Sequence, residues 1–305
     1  MSSVALFSPE VARGWLPWAW LSPILLIFFV AAPVIAMDGW MQAQQWSTPR
    51  GDPIGIAGLH ALLWLGFAPT LLAVLAWVRL VEGRSLASIG LNGPAPMKPF
   101  MHGLGVGVAM ICLLVFAIWA GGGLEAAGIG PAWREPRSLW HIALLLAGFI
   151  FQAGTEEIIF RGWLLSVLAR RSNVMVAVLV VSLVFCLLHY GPQQPPRVTA
   201  STFLFSLFAC AWVLRAGSIW GAMGWHAGWN WWLATAFELP VTGIDANLPA
   251  LVDALRPQGA DALTGGAEGP EGSVLCVALF LAALIAMRWW AGRRRANPRS
   301  MAPAS

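Results

Sequence analysis

The sequence predicts an all-α, polytopic transmembrane helical bundle of about eight membrane spans, and three observations carry that prediction. Of 305 residues, 58% are hydrophobic and only 10% charged, where a soluble domain carries about 25% charged residues. Mean hydropathy is +0.71. Several stretches run about 18 to 25 residues with few or no charges, enough at about 1.5 Å per residue to cross a ~30 Å hydrocarbon layer. The 19 Trp residues, many near the ends of these stretches, suit the two membrane interfaces, where an amphipathic ring finds both apolar and wet surroundings.

In chain order the candidate spans are 16–37, 54–80, 100–121, 138–168, 173–190, 199–214, 218–238 and 273–291. The first follows Arg13 and precedes Ala36-Met37-Asp38, the layout of a cleaved leader, but its apolar run is too long and the site after it too poor. It is taken as a membrane helix. Residues 1–292 then form one transmembrane domain, and 293–305 a disordered cytoplasmic tail. The 240–272 connection, rich in Gly, Pro and acidic residues, is the least ordered segment expected.

Orientation follows from Arg and Lys. One set of connections holds Arg13, Arg79, Arg84, Lys98, Arg170, Arg171, Arg215 and the run Arg293, Arg294, Arg295. The alternate set is balanced or acidic, ending in the loop with Asp245, Asp253, Asp261, Glu268 and Glu271. Both termini are therefore expected in the cytoplasm, and the long loop outside. The net charge of +4 is explained by this distribution, so no nucleic-acid partner is implied; the lipid bilayer is.

Cys112, Cys186, Cys210 and Cys276 each stand singly in apolar runs, without a CxxC spacing, and are taken as small packing residues. Gly103, Gly105 and Gly107 give a GxGxG string, but they open an apolar span instead of following a strand. Close helix packing by small residues is the expected role. His60, His102 and His141 have no polar neighbour at helical spacing and are read as structural or interfacial.

The informative residues are ionisable groups inside spans. Gly154-Thr155-Glu156-Glu157-Ile158-Ile159-Phe160-Arg161 puts three of them in six positions. A charge near the bilayer centre costs at least ~2.5–3.5 kcal/mol, so it persists where it pairs or lines a wet cavity. Glu157 and Arg161 are i,i+4 neighbours and can pair. Glu156 lies about 100° around the helix, free for another partner. Counted from the turn at Arg170-Arg171-Ser172-Asn173, Glu156 and His189 lie at depths of ~23 and ~26 Å on two antiparallel helices, so they can meet. Phe185 is one turn before His189. His226 and Asn230 share a face of the seventh span. Counted from the turn near Arg215, however, His226 lies only ~15 Å deep, which requires that turn to be recessed. Together these side chains supply a base for water, a second proton-handling group and donors for an oxyanion.

Glu156-Glu157-x-x-x-Arg161, Phe185-x-x-x-His189 and His226-x-x-x-Asn230 resemble the three motifs of the CPBP family, which includes type II CAAX prenyl endopeptidases and bacterial proteins linked to bacteriocin self-immunity. The resemblance covers residues 138–240, and Arg84-Ser85-Leu86-Ala87-Ser88-Ile89-Gly90-Leu91 is similar to a loop of bacterial members. It implies an intramembrane endopeptidase of the bacterial inner membrane, acting on a membrane-associated or lipidated protein or peptide. Carried over by position, Glu156 activates water with His189; His226 and Asn230 bind the oxyanion; Glu157, Arg161 and Phe185 support the site. No cofactor is firmly implied, although members are often labelled metalloproteases, and two His plus a Glu can hold Zn²⁺ with an open position.

HExxH and GxSxG are absent from the sequence, and the Gly51-Asp52 pair has no partner motif. A transporter or proton relay using Glu156, His189 and His226 is the main alternative, weakened by the absence of an internal repeat or paired broken helices. A non-catalytic immunity or scaffold protein of the same fold is the third class.

Overall fold

The structure is a computed structural model that describes residues 5–49 and 51–296. Eight helical stretches fill it: α1 (Leu21–Ala43), α2 (Gly55–Val81), α3 (Met97–Ala120), α4 (Pro136–Arg171), α5 (Val174–Leu188), α6 (Pro196–Ala216), α7 (Trp220–Ala236) and α8 (Val274–Ala296). Of these, α1, α2, α3, α4 and α6 are long and apolar enough to cross a membrane, while α5 and the described apolar part of α8 are shorter. The fold is a polytopic helical bundle. Helix α8 continues through 296, so residues 293–296 belong to it; the rest of the expected tail, 297–305, lies outside the described residues.

Helix α7 is the centre of the bundle. Trp225 and Trp229 are fully buried, and this helix packs on α3 through glycine. A Cβ on Gly103 would lie 2.0 Å from the Gly221 carbonyl oxygen, and one on Gly107 would lie 2.2 Å from that of Trp225. From the other side, Gly224 and Gly228 meet the carbonyl oxygens of Phe100 and Leu104. Small residues here let two backbones touch, which in lipid is a main source of helix association. Gly105, on another face, meets nothing within 4 Å.

Helix α4 is continuous but switches to π geometry over Ile158–Leu164, directly after Glu157. Such wide turns cluster at functional sites because they redirect side chains without ending the helix. Helix α2 contains two more, Leu62–Gly66 and Trp77–Val81.

The turn between α6 and α7 is packed against the loop after α2. Gly217 adopts a left-handed conformation (φ 65°), and Ile219 is completely buried. The loop after α2 fills the space beneath: Ile219 N donates to Gly90 O at 3.1 Å, and Asn92 Nδ2 donates to Gly217 O at 3.0 Å. That loop also backs the π turn, since a Cβ on Gly162 would lie 2.6 Å from Ile89 O.

The 240–272 connection is folded, contrary to expectation. Strand β1 (Leu124–Ile129) pairs antiparallel with β2 (Asp253–Pro257). Leu251 N and Val252 N donate to Thr235 O and Ala236 O at the end of α7. Its polar, Gly-rich composition signalled turns, but residues 251–257 find main-chain partners in the end of α7 and in β1, and the turns on either side close on the loop itself.

Candidate active site

Helix geometry alone places Glu157 and Arg161 together, and the pair is realised: Arg161 Nη1 donates to Glu157 Oε1 at 2.9 Å, with both side chains wholly buried. The same oxygen receives His226 Nδ1 at 3.0 Å. Glu157 thus joins α4 to α7. Arg161 is held from its other side by the Phe185 ring, 4.5 Å from Cζ to centroid, a cation–π contact strengthened by burial. Phe185 also stacks on His189 with centroids 4.2 Å apart, and His189 Nδ1 lies 2.8 Å from Phe185 O. With Nδ1–H given to that carbonyl, Nε2 of His189 is the acceptor left over.

Glu156 points elsewhere, as its position on the helix required. It is 7% exposed, and its Oε2 is buried without a hydrogen-bond partner. The nearest basic group is His226 Nε2 at 3.8 Å. A buried carboxylate oxygen without a partner is costly, and Glu156 is among the residues that line a cavity. Asn230 Nδ2 donates to Gln152 Oε1 at 3.0 Å, which leaves its second N–H available.

Glu156, His189, His226 and Asn230 all line one cavity of about 580 Å³, counting its open mouth. A second cavity of about 660 Å³ touches Glu156, His189 and Asn230 from the other side. Apart from Gln152 and Thr242 its remaining wall is apolar, with Leu59, Leu62, Leu63, Phe67 and Phe149 among its residues. The polar constellation therefore sits between a mixed polar-aromatic chamber and an apolar one.

These motifs agree with a comparison of the sequence against known families, in which residues 138–232 match the type II CAAX prenyl endopeptidase Rce1-like family. The match covers less than half of the chain and is consistent with the CAAX-protease family. It runs from the start of α4 to near the end of α7 and contains every residue of the three motifs. No curated protein matches the chain. The match supports, at the family level, a CAAX-type protease, in keeping with the apolar helices of the bundle.

Several residues around the site escaped the sequence reading. Gln152 lines both cavities; it stands one turn before Glu156 on the same face, and that spacing was a usable signal. Phe205, in α6, packs on Phe185 and on His226 with centroids 5.8 and 4.9 Å apart. Thr242, Glu268 and Glu271 reach the first cavity from the folded external-type loop, a long-range contact that no local pattern announces. His60 and His141, from α2 and α4, meet with ring centroids 5.9 Å apart, away from both cavity linings.

A Zn²⁺ site would need three protein ligands converging on one point. Among the described residues no group of three or more His, Cys, Asp or Glu side chains is disposed to hold a metal ion. As placed, the residues do not fit a metal set, and no step below is routed through one.

Proposed function

We propose that this chain is an endopeptidase that hydrolyses a peptide bond of a membrane-associated or lipidated protein or peptide, with Glu156 as general base. The observation that carries the proposal is the clustering of Glu156, whose buried Oε2 has no hydrogen-bond partner, with His189, His226 and Asn230 around one cavity. A water between Glu156 Oε2 and His189 Nε2 gives its proton to the carboxylate as its oxygen attacks the carbonyl carbon. The oxyanion is held by the free N–H of Asn230 and by His226 Nε2–H. For His226 to donate there while Nδ1–H is held by Glu157, its ring carries both protons, and Glu157 is the adjoining counter-charge. Collapse breaks the C–N bond, Glu156 returns its proton to the leaving nitrogen, and the products are a carboxylic acid and an amine. Donors aimed at developing charge in a water-poor site are worth about 10²–10³ in rate each.

The apolar second chamber is suited to the lipid-like part of such a substrate, since hydrophobic burial favours it by roughly 25 cal/mol per Å². The Arg and Lys distribution supports both termini in the cytoplasm, and the resemblance to bacterial members implies the inner membrane. Purified, detergent-solubilised protein tests the assignment. Glu156→Gln and His189→Ala are expected to abolish cleavage of a membrane peptide while yield and thermal unfolding stay at wild-type level. Full cleavage by folded Glu156→Gln would remove this residue from the mechanism.

A further inference from the structure

The cavity that holds the catalytic constellation has a second charged wall. Glu268 and Glu271, from the loop before α8, line it together with Glu156, and no Lys or Arg does so among the described residues. Glu271 is fixed: Oε1 accepts Trp229 Nε1 at 2.7 Å, and Oε2 accepts Thr242 N and Oγ1 at 2.6 and 3.0 Å. Its charge stays in place while its hydrogen bonding is used up. Glu268 differs. It is half-buried, and no hydrogen bond to its carboxylate is present among the described residues. Burial first, and Glu271 second, push its carboxyl up from the ordinary value, the response of an acid that lacks a cation.

An acidic pair alone is often just a solvated rim. Here a second observation stands apart from it: Glu156, only 7% exposed and with an oxygen that no hydrogen bond reaches, lines the same cavity, so the chamber is lined by three carboxyl side chains. Its other walls include Phe205, Trp229 and Phe280, aromatic rings of the kind that attract cations. Mutual repulsion among the carboxylates, partial desolvation and aromatic lining all favour one kind of occupant.

Resting on the peptidase reading, we propose that this chamber is a subsite for a basic side chain of the substrate, Lys or Arg, whose cationic head pairs with Glu268 beside Glu271 while the scissile bond lies at Glu156. A cation there relieves the repulsion, and an acidic side chain adds to it. The enzyme therefore selects peptides with a positive residue a few positions from the cut.

The test uses three otherwise identical fluorogenic membrane peptides with Lys, norleucine or Glu scanned along the positions flanking the cut. With the wild-type chain, kcat/KM at one position is expected to fall in the order Lys, norleucine, Glu, by about tenfold per step, as for a charge-assisted pair in a partly buried site. Glu268→Gln should raise KM for the Lys peptide by about tenfold and leave the norleucine peptide unchanged. Glu268→Lys should move the preference to the Glu peptide. Binding is measured in parallel on the Glu156→Gln chain with the same peptides carrying a fluorophore, which reads the order without turnover. Absence of any cleavage, with the binding order intact, would overturn the peptidase reading and support the subsite. Equal binding of the three peptides at every position, or equal effects of Glu268→Gln on all three, would overturn the subsite.

Discussion

His226 Nδ1 lies 3.0 Å from Glu157 Oε1, the oxygen that also takes Arg161 Nη1 at 2.9 Å. The second glutamate of the pair is thus the hinge pin between α4 and α7: it fixes the ring of His226 and leaves Nε2 turned toward Glu156. Adjacent carboxylates have separate tasks because about 100° of helix rotation separates them. Oε1 of Glu157 holds two partners, whereas no hydrogen bond reaches Glu156 Oε2.

Glu157→Gln should therefore destabilise the chain, since Arg161 is left in the core without a counter-charge. Breaking a buried pair from one side costs about 3–5 kcal/mol. Thermal unfolding in detergent reads the loss. Cleavage per folded molecule should also drop, because His226 loses the acceptor that sets its orientation. Unchanged unfolding temperature would show that the pair contributes nothing to the fold.

Backbone contact between α3 and α7 positions His226 and Asn230, so added volume at that seam should register at the site. Gly107→Ala needs the helices to part, because its Cβ would lie 2.2 Å from Trp225 O. Overpacking of this kind costs about 1–3 kcal/mol, and cleavage should fall with it. Gly105→Ala, two residues away with nothing within 4 Å, is the control and should match wild type. The paired melts and rates distinguish seam packing from a general aversion to side chains in α3.

The N-terminal arm is tied to the loop after α2 by Glu10, which accepts from both the hydroxyl and the backbone N–H of Ser85. These two bonds, the hydroxyl first, hold the Glu10 carboxyl below its ordinary value of 4.5. A depressed carboxylate contributes above its unfolded value and loses the contribution as pH falls through the folded one. Hydrogen exchange over the arm should accordingly rise as pH drops below 4.5, and Glu10→Gln should remove that dependence. Identical pH profiles for the two chains would disconnect Glu10 from the arm.

Orientation has its own test. The loops that carry Arg and Lys gather on one side of the bundle, where Arg170 Nη2 donates to Ser8 O and Gly14 N donates to Glu82 O. A reporter fused at residue 300 is expected in the cytoplasm and one near residue 262 outside. An external tail would reverse the whole assignment.

What could be read from the sequence was mostly what helix geometry dictates locally. The Glu157–Arg161 pair, the Phe185–His189 stack and the small-residue seam all follow from spacing within one helix. Depth counting brought Glu156 and His189 to one level because their shared turn is an ordinary one. It fell short for His226 because the next turn is held by Gly90 and Asn92, residues more than 120 positions away. The same limit hid Glu268 and Glu271, and it hid the order of the 240–272 loop, whose partners are the end of α7 and a strand before α4. Arg84 shows it most plainly. In the sequence it is one of several loop charges marking the cytoplasmic side; in the structure it is fully buried.

That burial sets up the last prediction. Glu82 and Arg84, both without exposure, pair through Oε2 with Nε and Nη2 at 2.7 Å. Glu82 Oε1 takes indole N–H groups from Trp77 and Trp163 at 3.0 and 2.7 Å, and Arg84 Nη1 donates to Ser166 Oγ at 3.1 Å. The network braces the π turn of α4 from the side opposite the cavity. Removing one member strands the other. Arg84→Met leaves a carboxylate that keeps two indole donors, whereas Glu82→Leu leaves a guanidinium whose side-chain acceptor is one hydroxyl, so Glu82→Leu should cost more, toward the upper end of about 3–5 kcal/mol. The double variant strands neither charge, and it should lose less than the sum of the two by about 1–3 kcal/mol, the range for residues in one network. Thermal unfolding of the four chains gives this coupling directly. Because the pair touches neither cavity, cleavage per folded molecule should survive in the double variant better than in either single. Strict additivity of the two losses would mean that the charges act independently and that α4 is braced by the tryptophans alone.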